Sequence, residues 1–272
     1  MVVLKIAINK RITELVISFY AMKLMDFTGK KIVITGVGGI GLETAVLISK
    51  LGARVSLIDI NESALTNATK KLGESCISSY ECDFSDVNSI SALVKRIVKE
   101  IGSVDGFVFC AGITESRPIK IANYDSMKRV MDINYFSYVE FIRNLTLKGN
   151  YNEGMSIVGI SSVGAFLGNP AQTAYAASKA AMNGATRCLA KELAPKGIRV
   201  NTIAPGTTDT PMFRQAAENH SDSEAFLNRL ERQYLGLCKP IDIANGVAFL
   251  LSNMSSMITG SCLGIDGGKL SS

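Results

Sequence analysis

The sequence predicts an α/β protein: a doubly wound parallel sheet of about seven strands with helices on both faces, in three αβα layers. Three observations predict it. Short β-branched runs alternate with helix-length segments from Lys30 onward. A glycine-rich turn sits at the first strand-to-helix junction. The 272 residues, 47% hydrophobic and 19% charged, suffice for one large core, and no linker, repeat or low-complexity tract divides them.

Taken in order, Lys31–Thr35 reads as a buried strand and Ile40–Leu51 as a helix, which Gly52 ends. Arg54–Asp59 is a second strand. Asn61 or Ser63 starts a helix running to about Leu72, and Cys76–Cys82 is a third strand. Ser85 or Asp86 caps a helix to Ile101, closed by Gly102, before a fourth strand, Val104–Cys110. A long helix covers about Tyr124 to Leu147. Ser156–Ser161 is a fifth strand, Ala174–Leu193 an Ala-rich helix, and Ile198–Ala204 a sixth strand. Residues 205–239 are polar, irregular and partly helical. Ile241–Leu251 is a helix and Cys262–Ile265 a last short strand. Parallel strands need right-handed crossovers, which is why the helices fall on both faces. The reading is a single domain over 25–272, with a substrate lid at about 207–236, preceded by an extension over 1–24.

The first strand runs straight into Thr35-Gly-Val-Gly-Gly-Ile-Gly41, in which Gly36, Gly38 and Gly41 fit G-x-G-x-x-G. A strand before it and a helix after it are the context of a Rossmann-type dinucleotide turn. Glycines keep the turn tight and let backbone approach a pyrophosphate, and the helix N-terminus offers N–H groups and the positive end of its dipole. Gly39 and Ile40 complete the loop. Asp59 ends the second strand 18 residues after Gly41, where a carboxylate hydrogen-bonds the adenosine ribose hydroxyls. A 2′-phosphate would be repelled there, and Val37, Gly38, Ile60 and Asn61 supply no Arg or Lys to receive one. The expected cofactor is therefore NAD(H) in preference to NADP(H).

Tyr175 and Lys179 stand four apart on the Ala-rich helix, so they share a face. A free phenol titrates near ~10, too high for a base at neutral pH. A neighbouring ammonium favours the phenolate, by about 1.4 kcal/mol for each unit of lowering. Ser162 follows the fifth strand, 13 residues before Tyr175, and its hydroxyl suits the oxygen of a substrate.

With Asn134 in Asp-Ile-Asn-Tyr135, Ser161-Ser162, Tyr175-Ala-Ala-Ser-Lys179 and the glycine turn, residues 26–272 resemble the short-chain dehydrogenase/reductase family. The resemblance implies a catalytic tetrad of Asn134, Ser162, Tyr175 and Lys179, with Asn134 holding a water that relays protons from Lys179. It implies an enzyme that interconverts a secondary alcohol and a ketone by hydride transfer, in which Lys179 also reaches the nicotinamide ribose. It further implies adenine contacts from Asp83 and Phe84, and a small pair, Ala111 and Gly112, that lets the cofactor lie across strand four. Pro205, Gly206, Thr208 and Thr210 are implied on the nicotinamide side, and Asp266-Gly-Gly268 as a closing turn. A homotetramer, or a homodimer, is implied, built through the helices at 124–147 and 174–193 and the C-terminal tail. Two departures stand out. The family's loop is Thr-Gly-x-x-x-Gly-x-Gly, and this one is a residue shorter. The family's Asn-Ala-Gly is Cys110-Ala-Gly here.

The substrate is expected between Gly164–Asn169 and the lid, where Met212, Phe213, Phe226, Leu227, Tyr234 and Leu235 lie beside Arg214 and Arg232. Ser162, Gly164, Met212 and Phe213 are the candidate substrate contacts. Much of the sequence also resembles 3-oxoacyl-[acyl-carrier-protein] reductases, and Thr208-Asp-Thr210 resembles dehydrogenases of cyclic diols. A non-catalytic NAD-binding regulator is the alternative from another class; it has no need of Ser162, Tyr175 and Lys179 together.

Composition excludes other classes. The net charge of +5 comes from scattered Lys and Arg, not from a nucleic-acid-binding tract. Six separated cysteines and a lone histidine, His220 in a polar stretch, make neither a zinc site nor a Ser-His-Asp relay, and are expected in a reducing cytoplasm. In Met1–Ala21, Lys10, Arg11 and Glu14 interrupt every apolar run, short of the ~18 residues of a membrane span. A start at Met22 or Met25, or a flexible extension, is the reading of 1–24.

Overall fold

The computed structural model describes residues 25–218 and 232–271. The expected extension at 1–24 and three side chains singled out above (His220, Phe226 and Leu227) lie outside the described residues. Strand and helix alternate as β1 (Lys31–Thr35), α1 (Ile40–Lys50), β2 (Arg54–Asp59), α2 (Glu62–Leu72), β3 (Cys76–Glu81), α3 (Ser89–Ile101) and β4 (Val104–Phe109). Then come α4 (Tyr124–Met131), α5 (Ser137–Leu145), β5 (Tyr151–Ile160), α6 (Thr173–Leu193), β6 (Arg199–Pro205), α7 (Pro211–Glu218), α8 (Pro240–Leu251) and β7 (Cys262–Ile265).

The seven strands form one sheet in the order β3-β2-β1-β4-β5-β6-β7, every neighbouring pair parallel. The chain winds outward from β1 to β3, returns to lay β4 beside β1, and winds the other way. The crevice beyond the carboxyl ends of β1 and β4 is thus the topological switch point, where such sheets bind ligands.

Buried on both faces, the strands read as apolar runs and not as alternating ones. Alternation along β1 assigns its residues to two cores: Ile32 and Ile34 pack with Ile48 of α1 and Val247 of α8, and Val33 with Phe141 of α5 and Met182 of α6. The second core is aromatic. Phe141 meets Phe107 and Phe84 at 5.3 Å between ring centres, each contact adding about 0.5–1.5 kcal/mol to simple burial. Gly52, at φ +97°, turns the chain after α1, and a Cβ there would lie 2.6 Å from Thr28 Oγ1.

Three boundaries differ from expectation. α3 starts at Ser89, because Asp86 and Ser89 first make a tight turn in which both donate backward, Asp86 N to Asp83 O and Ser89 N to Asp86 O. β5 starts at Tyr151, five residues early, because Tyr151 pairs with Val104 across an irregular register. The helix expected over 124–147 is two helices joined by a wide π turn, Asp132–Phe136, and ends at Leu145. Among the described residues, no helix is long and apolar enough to cross a membrane, and no three metal-ligating side chains gather around one point.

Candidate active site

The glycine turn is tight for reasons of contact. Gly36 has φ +74°, and a Cβ on it would lie 2.5 Å from the backbone N of Ala111. A Cβ on Gly41 would lie 1.9 Å from the carbonyl oxygen of Gly36. Neither position accepts a side chain. A Cβ on Gly38 would meet nothing within 4 Å, so this part of the turn is open to a ligand. Gly39 faces Thr210, whose Cγ2 would lie 3.2 Å from its Cβ, and Ile40 opens α1, whose start no side chain caps. Asp59 ties the end of β2 to the turn: one carboxylate oxygen accepts from Val37 N at 2.7 Å, the other from Asn61 N at 2.9 Å.

At the neighbouring strand ends, Asp83 accepts from Ser85 N at 2.8 Å. The Phe84 ring is buried in the aromatic core, which leaves its backbone for any ligand contact. Ala111 N reaches Thr35 Oγ1 at 3.4 Å. Cys110 packs beneath the glycine turn, 3.2 Å from where a Gly41 Cβ would stand, and burial pushes its thiol up to about 12, so it is neutral.

The four expected catalytic residues converge beside this turn. Tyr175 and Lys179 lie in the first two turns of α6, with Lys179 Nζ 5.9 Å from the Tyr175 ring centre. Lys179 is 4% exposed and donates to the Ile160 carbonyl at 2.7 Å. Burial lowers its pKa to about 8, with Cys110 opposing weakly. A Cβ on Gly164 would lie 3.3 Å from Ser162 Oγ and 3.4 Å from Tyr175 Cε1, so the hydroxyl of Ser162 and the ring of Tyr175 border one small space. Ser162 Oγ accepts from Gly164 N at 3.0 Å, which fixes its rotamer.

Asn134 sits in the π turn. The wider turn lets its amide leave the helix and clamp Ile113, accepting from Ile113 N at 2.8 Å and donating to Ile113 O at 2.9 Å and to Ser178 Oγ at 3.0 Å. A Cβ on Gly112 would lie 3.1 Å from Asn134 Oδ1 and 3.3 Å from Lys179 Nζ, so glycine there keeps the space beside both polar atoms clear.

Past Pro205, which ends β6, Gly206 N donates to Ile265 O at 2.9 Å and Thr208 Oγ1 to Gly206 O at 3.1 Å. Thr210 caps α7, its Oγ1 accepting from Phe213 N at 3.2 Å, and Asp209 holds Arg214 through two bonds of 2.7 and 2.9 Å. Met212 is exposed and Phe213 partly buried on a helix rooted at Gly39. Sequence reasoning missed Ile113, Ser178, Gln233 and Lys269. Ser178 falls at an open position of Tyr-x-x-x-Lys and no motif marks the other three; each makes contacts far along the chain.

The model of the family described as enoyl-(acyl carrier protein) reductase matches residues 36–269. The chain is 35% identical over 250 residues to the 3-oxoacyl-[acyl-carrier-protein] reductase FabG of Thermotoga maritima, covering 90% of this chain and 99% of the relative. It is 33% identical over 251 residues to a 2,5-dichloro-2,5-cyclohexadiene-1,4-diol dehydrogenase of Sphingobium indicum, covering 90% and 98%. Among solved structures it resembles Thermoplasma acidophilum aldohexose dehydrogenase, with TM-score 0.79, 30% identity and coverage of 90% and 96%. It also resembles gox2181, with TM-score 0.85, 28% identity and coverage of 92% and 99%. The chain belongs to the short-chain dehydrogenase/reductase family and is an oxidoreductase acting on CH–OH or C=O groups of small molecules with NAD or NADP.

Proposed function

We propose that the protein interconverts a secondary alcohol and a ketone with NAD(H), using Tyr175 as general acid/base. The observation that carries this is the shared space bordered by Ser162 Oγ and the Tyr175 ring, with the buried amine of Lys179 behind the ring at 5.9 Å. The dinucleotide fits the turn: Gly36 and Gly41 exclude side chains, Gly38 is open, and the Asp59 carboxylate stands at the end of β2. Gly36, Gly38, Gly39, Ile40 and Gly41 would receive the pyrophosphate, Asp59 the ribose hydroxyls, and Asp83 and the Phe84 backbone the adenine. Ala111, Gly112, Pro205, Gly206, Thr208 and Thr210 would line the nicotinamide end, with Lys179 at its ribose.

When bound, the dinucleotide takes up or gives the hydride. Ser162 Oγ holds the substrate oxygen. Tyr175 accepts the hydroxyl proton during oxidation and returns it during reduction. Lys179, when charged, favours the phenolate. The Asn134 amide fixes the Ile113 backbone and keeps a water within reach of Lys179, past the missing side chain of Gly112. Gly164 walls the substrate, and Met212 and Phe213 cover it from α7.

The preference for NAD rests on Asp59, because a 2′-phosphate there would face a carboxylate. Titration by fluorescence tests it. Tight NADH and weak NADPH binding are expected, with the preference lost in Asp59→Ala; tight NADPH binding by wild type overturns it. A second reading, reduction of a 3-oxoacyl group on a carrier protein, is favoured by the Thermotoga relative. It predicts NADPH preference and turnover of 3-oxoacyl thioesters. A homotetramer fits the exposure of Phe136 between α4 and α5 and of Met257 near the C-terminus, 46% and 94% respectively, and light scattering reads it directly.

A further inference from the structure

Behind the segment 205–210 lies a buried polar cluster that no motif marks. Gln233, 3% exposed, accepts from Thr207 N at 2.8 Å through Oε1. The two hydrogens of its Nε2 are shared among Thr207 O at 3.1 Å, Gly236 O at 2.6 Å and Cys238 Sγ at 3.2 Å. One amide thus holds both backbone groups of Thr207 and ties them to the strand-like stretch around Cys238, whose own N donates to Thr207 O at 3.0 Å. From the other side Lys269, 4% exposed, donates to Thr207 Oγ1 at 2.8 Å.

Two glycines make room for this amide. A Cβ on Gly206 would lie 2.6 Å from Gln233 Oε1, and a Cβ on Gly267, at φ +60°, would lie 2.7 Å from Gln233 Cγ. The turn after β6 and the turn after β7 therefore both close on Gln233. Burying an amide and an ammonium is costly unless each finds partners, and here each finds one on Thr207. Gly206 and Thr208, the neighbours of Thr207, belong to the segment assigned above to the nicotinamide end.

We propose that Gln233, assisted by Lys269, is a positioning residue that holds Gly206–Thr208 in the conformation that receives the nicotinamide end of the dinucleotide. This rests on the reading of the site given above. Gln233 touches no reacting atom in that reading. It acts through Thr207, and removing it makes the dinucleotide order a loose segment on binding, which weakens affinity more than turnover.

Gln233→Met keeps the length of the side chain and loses its hydrogen bonds to Thr207, Gly236 and Cys238; Lys269→Met loses the bond to the Thr207 hydroxyl. Two readouts separate the clasp from the site. The first is amide hydrogen exchange of peptide 206–210 in ligand-free protein, expected to quicken at least about tenfold in Gln233→Met. The second is the kinetic split. KM for the dinucleotide is expected to rise about tenfold in Gln233→Met and about threefold in Lys269→Met, with kcat within about threefold of wild type. If Gln233→Met does not fold, Lys269→Met carries the same test from the other side. Unchanged exchange overturns the clasp whatever the wild type binds. Faster exchange with unchanged KM, or a fall in kcat that only tracks the folded fraction, overturns the positioning role. Failure of wild type to bind either dinucleotide, with exchange still quickened in Gln233→Met, overturns the reading of the site and leaves the clasp standing.

Discussion

Lys179 Nζ stands 5.9 Å from the centre of the Tyr175 ring, held by a 2.7 Å hydrogen bond to the carbonyl of Ile160. The amine is buried beside a neutral thiol, Cys110, and burial brings its pKa from 10.5 down to about 8. At neutral pH it is charged where charge is disfavoured. The fold thus gives up stability to keep a cation behind the phenol, as sites that do proton chemistry commonly do.

That cost has a defined pH window. Below pH 8 both folded and unfolded chains carry the proton, and the desolvation cost is fully present. Between pH 8 and 10.5 the folded state releases the proton first, the unfolded chain binds more protons, and stability rises with pH. The drop of 10.5 to about 8 corresponds to about 3 kcal/mol, and the lost bond to Ile160 returns about 1 kcal/mol. Lys179→Met is therefore expected to be more stable than wild type at pH 7 by about 2 kcal/mol, while losing most activity. The gap should shrink above pH 8, close at about pH 9.5 and reverse by pH 10.5 in urea unfolding run across that range. A variant less stable than wild type at pH 7, with a gap that does not vary, contradicts the argument.

Tyr175→Phe removes one oxygen and leaves the ring that borders Gly164. The expected result is a loss of about a thousandfold in kcat/KM, within the range for general acid/base residues, with dinucleotide affinity within about threefold of wild type. Steady-state kinetics beside fluorescence titration read the two separately. Activity above a tenth of wild type would move the proton transfer to another group.

The glycine turn separates folding from binding. Gly41→Ala puts a methyl group 1.9 Å from the Gly36 carbonyl, so both the fold and dinucleotide binding should suffer, by more than about 2 kcal/mol in stability. Gly38→Ala meets nothing within 4 Å and should leave the melting temperature nearly unchanged. If the pyrophosphate lies against Gly38, the same methyl group should weaken dinucleotide binding at least about tenfold. Unaltered affinity in Gly38→Ala would place the phosphates elsewhere on the shortened loop.

The sheet was legible in the sequence because buried parallel strands are marked twice, by β-branched runs and by the glycine that ends the helix before them. β1, β2 and β7 have the expected bounds. The convergence of Ser162, Tyr175 and Lys179 was legible because two of them share a helix face and the third follows a neighbouring strand. The π turn was not, since Asp132–Phe136 contains neither Pro nor Gly and reads as ordinary helix. It accompanies the clamp made by the amide of Asn134, whose partners Ile113 and Ser178 stand 21 and 44 residues away. Gln233 and Lys269 were invisible for the same reason: their partner, Thr207, is set by the close approach of the turns after β6 and β7, and local pattern carries no trace of it.

The position of Asn134 beside Lys179 yields a last test. Asn134→Asp keeps the oxygen that accepts from Ile113 N and replaces the donor facing Ile113 O and Ser178 with a second oxygen. A carboxylate now faces a carbonyl, so stability should fall, by about 1–3 kcal/mol for the broken buried bonds. It also brings an anion next to Lys179, whose amine shares with Asn134 Oδ1 the space beside Gly112. An anion favours the ammonium, so the pKa of Lys179 should rise from about 8 by roughly one to two units. Lysine titration followed by NMR reads this directly, and in the folded fraction it is independent of the stability loss. If the Lys179 resonance titrates as in wild type, Asn134 and Lys179 are electrostatically separate, and the route for protons between them through a shared water must be abandoned.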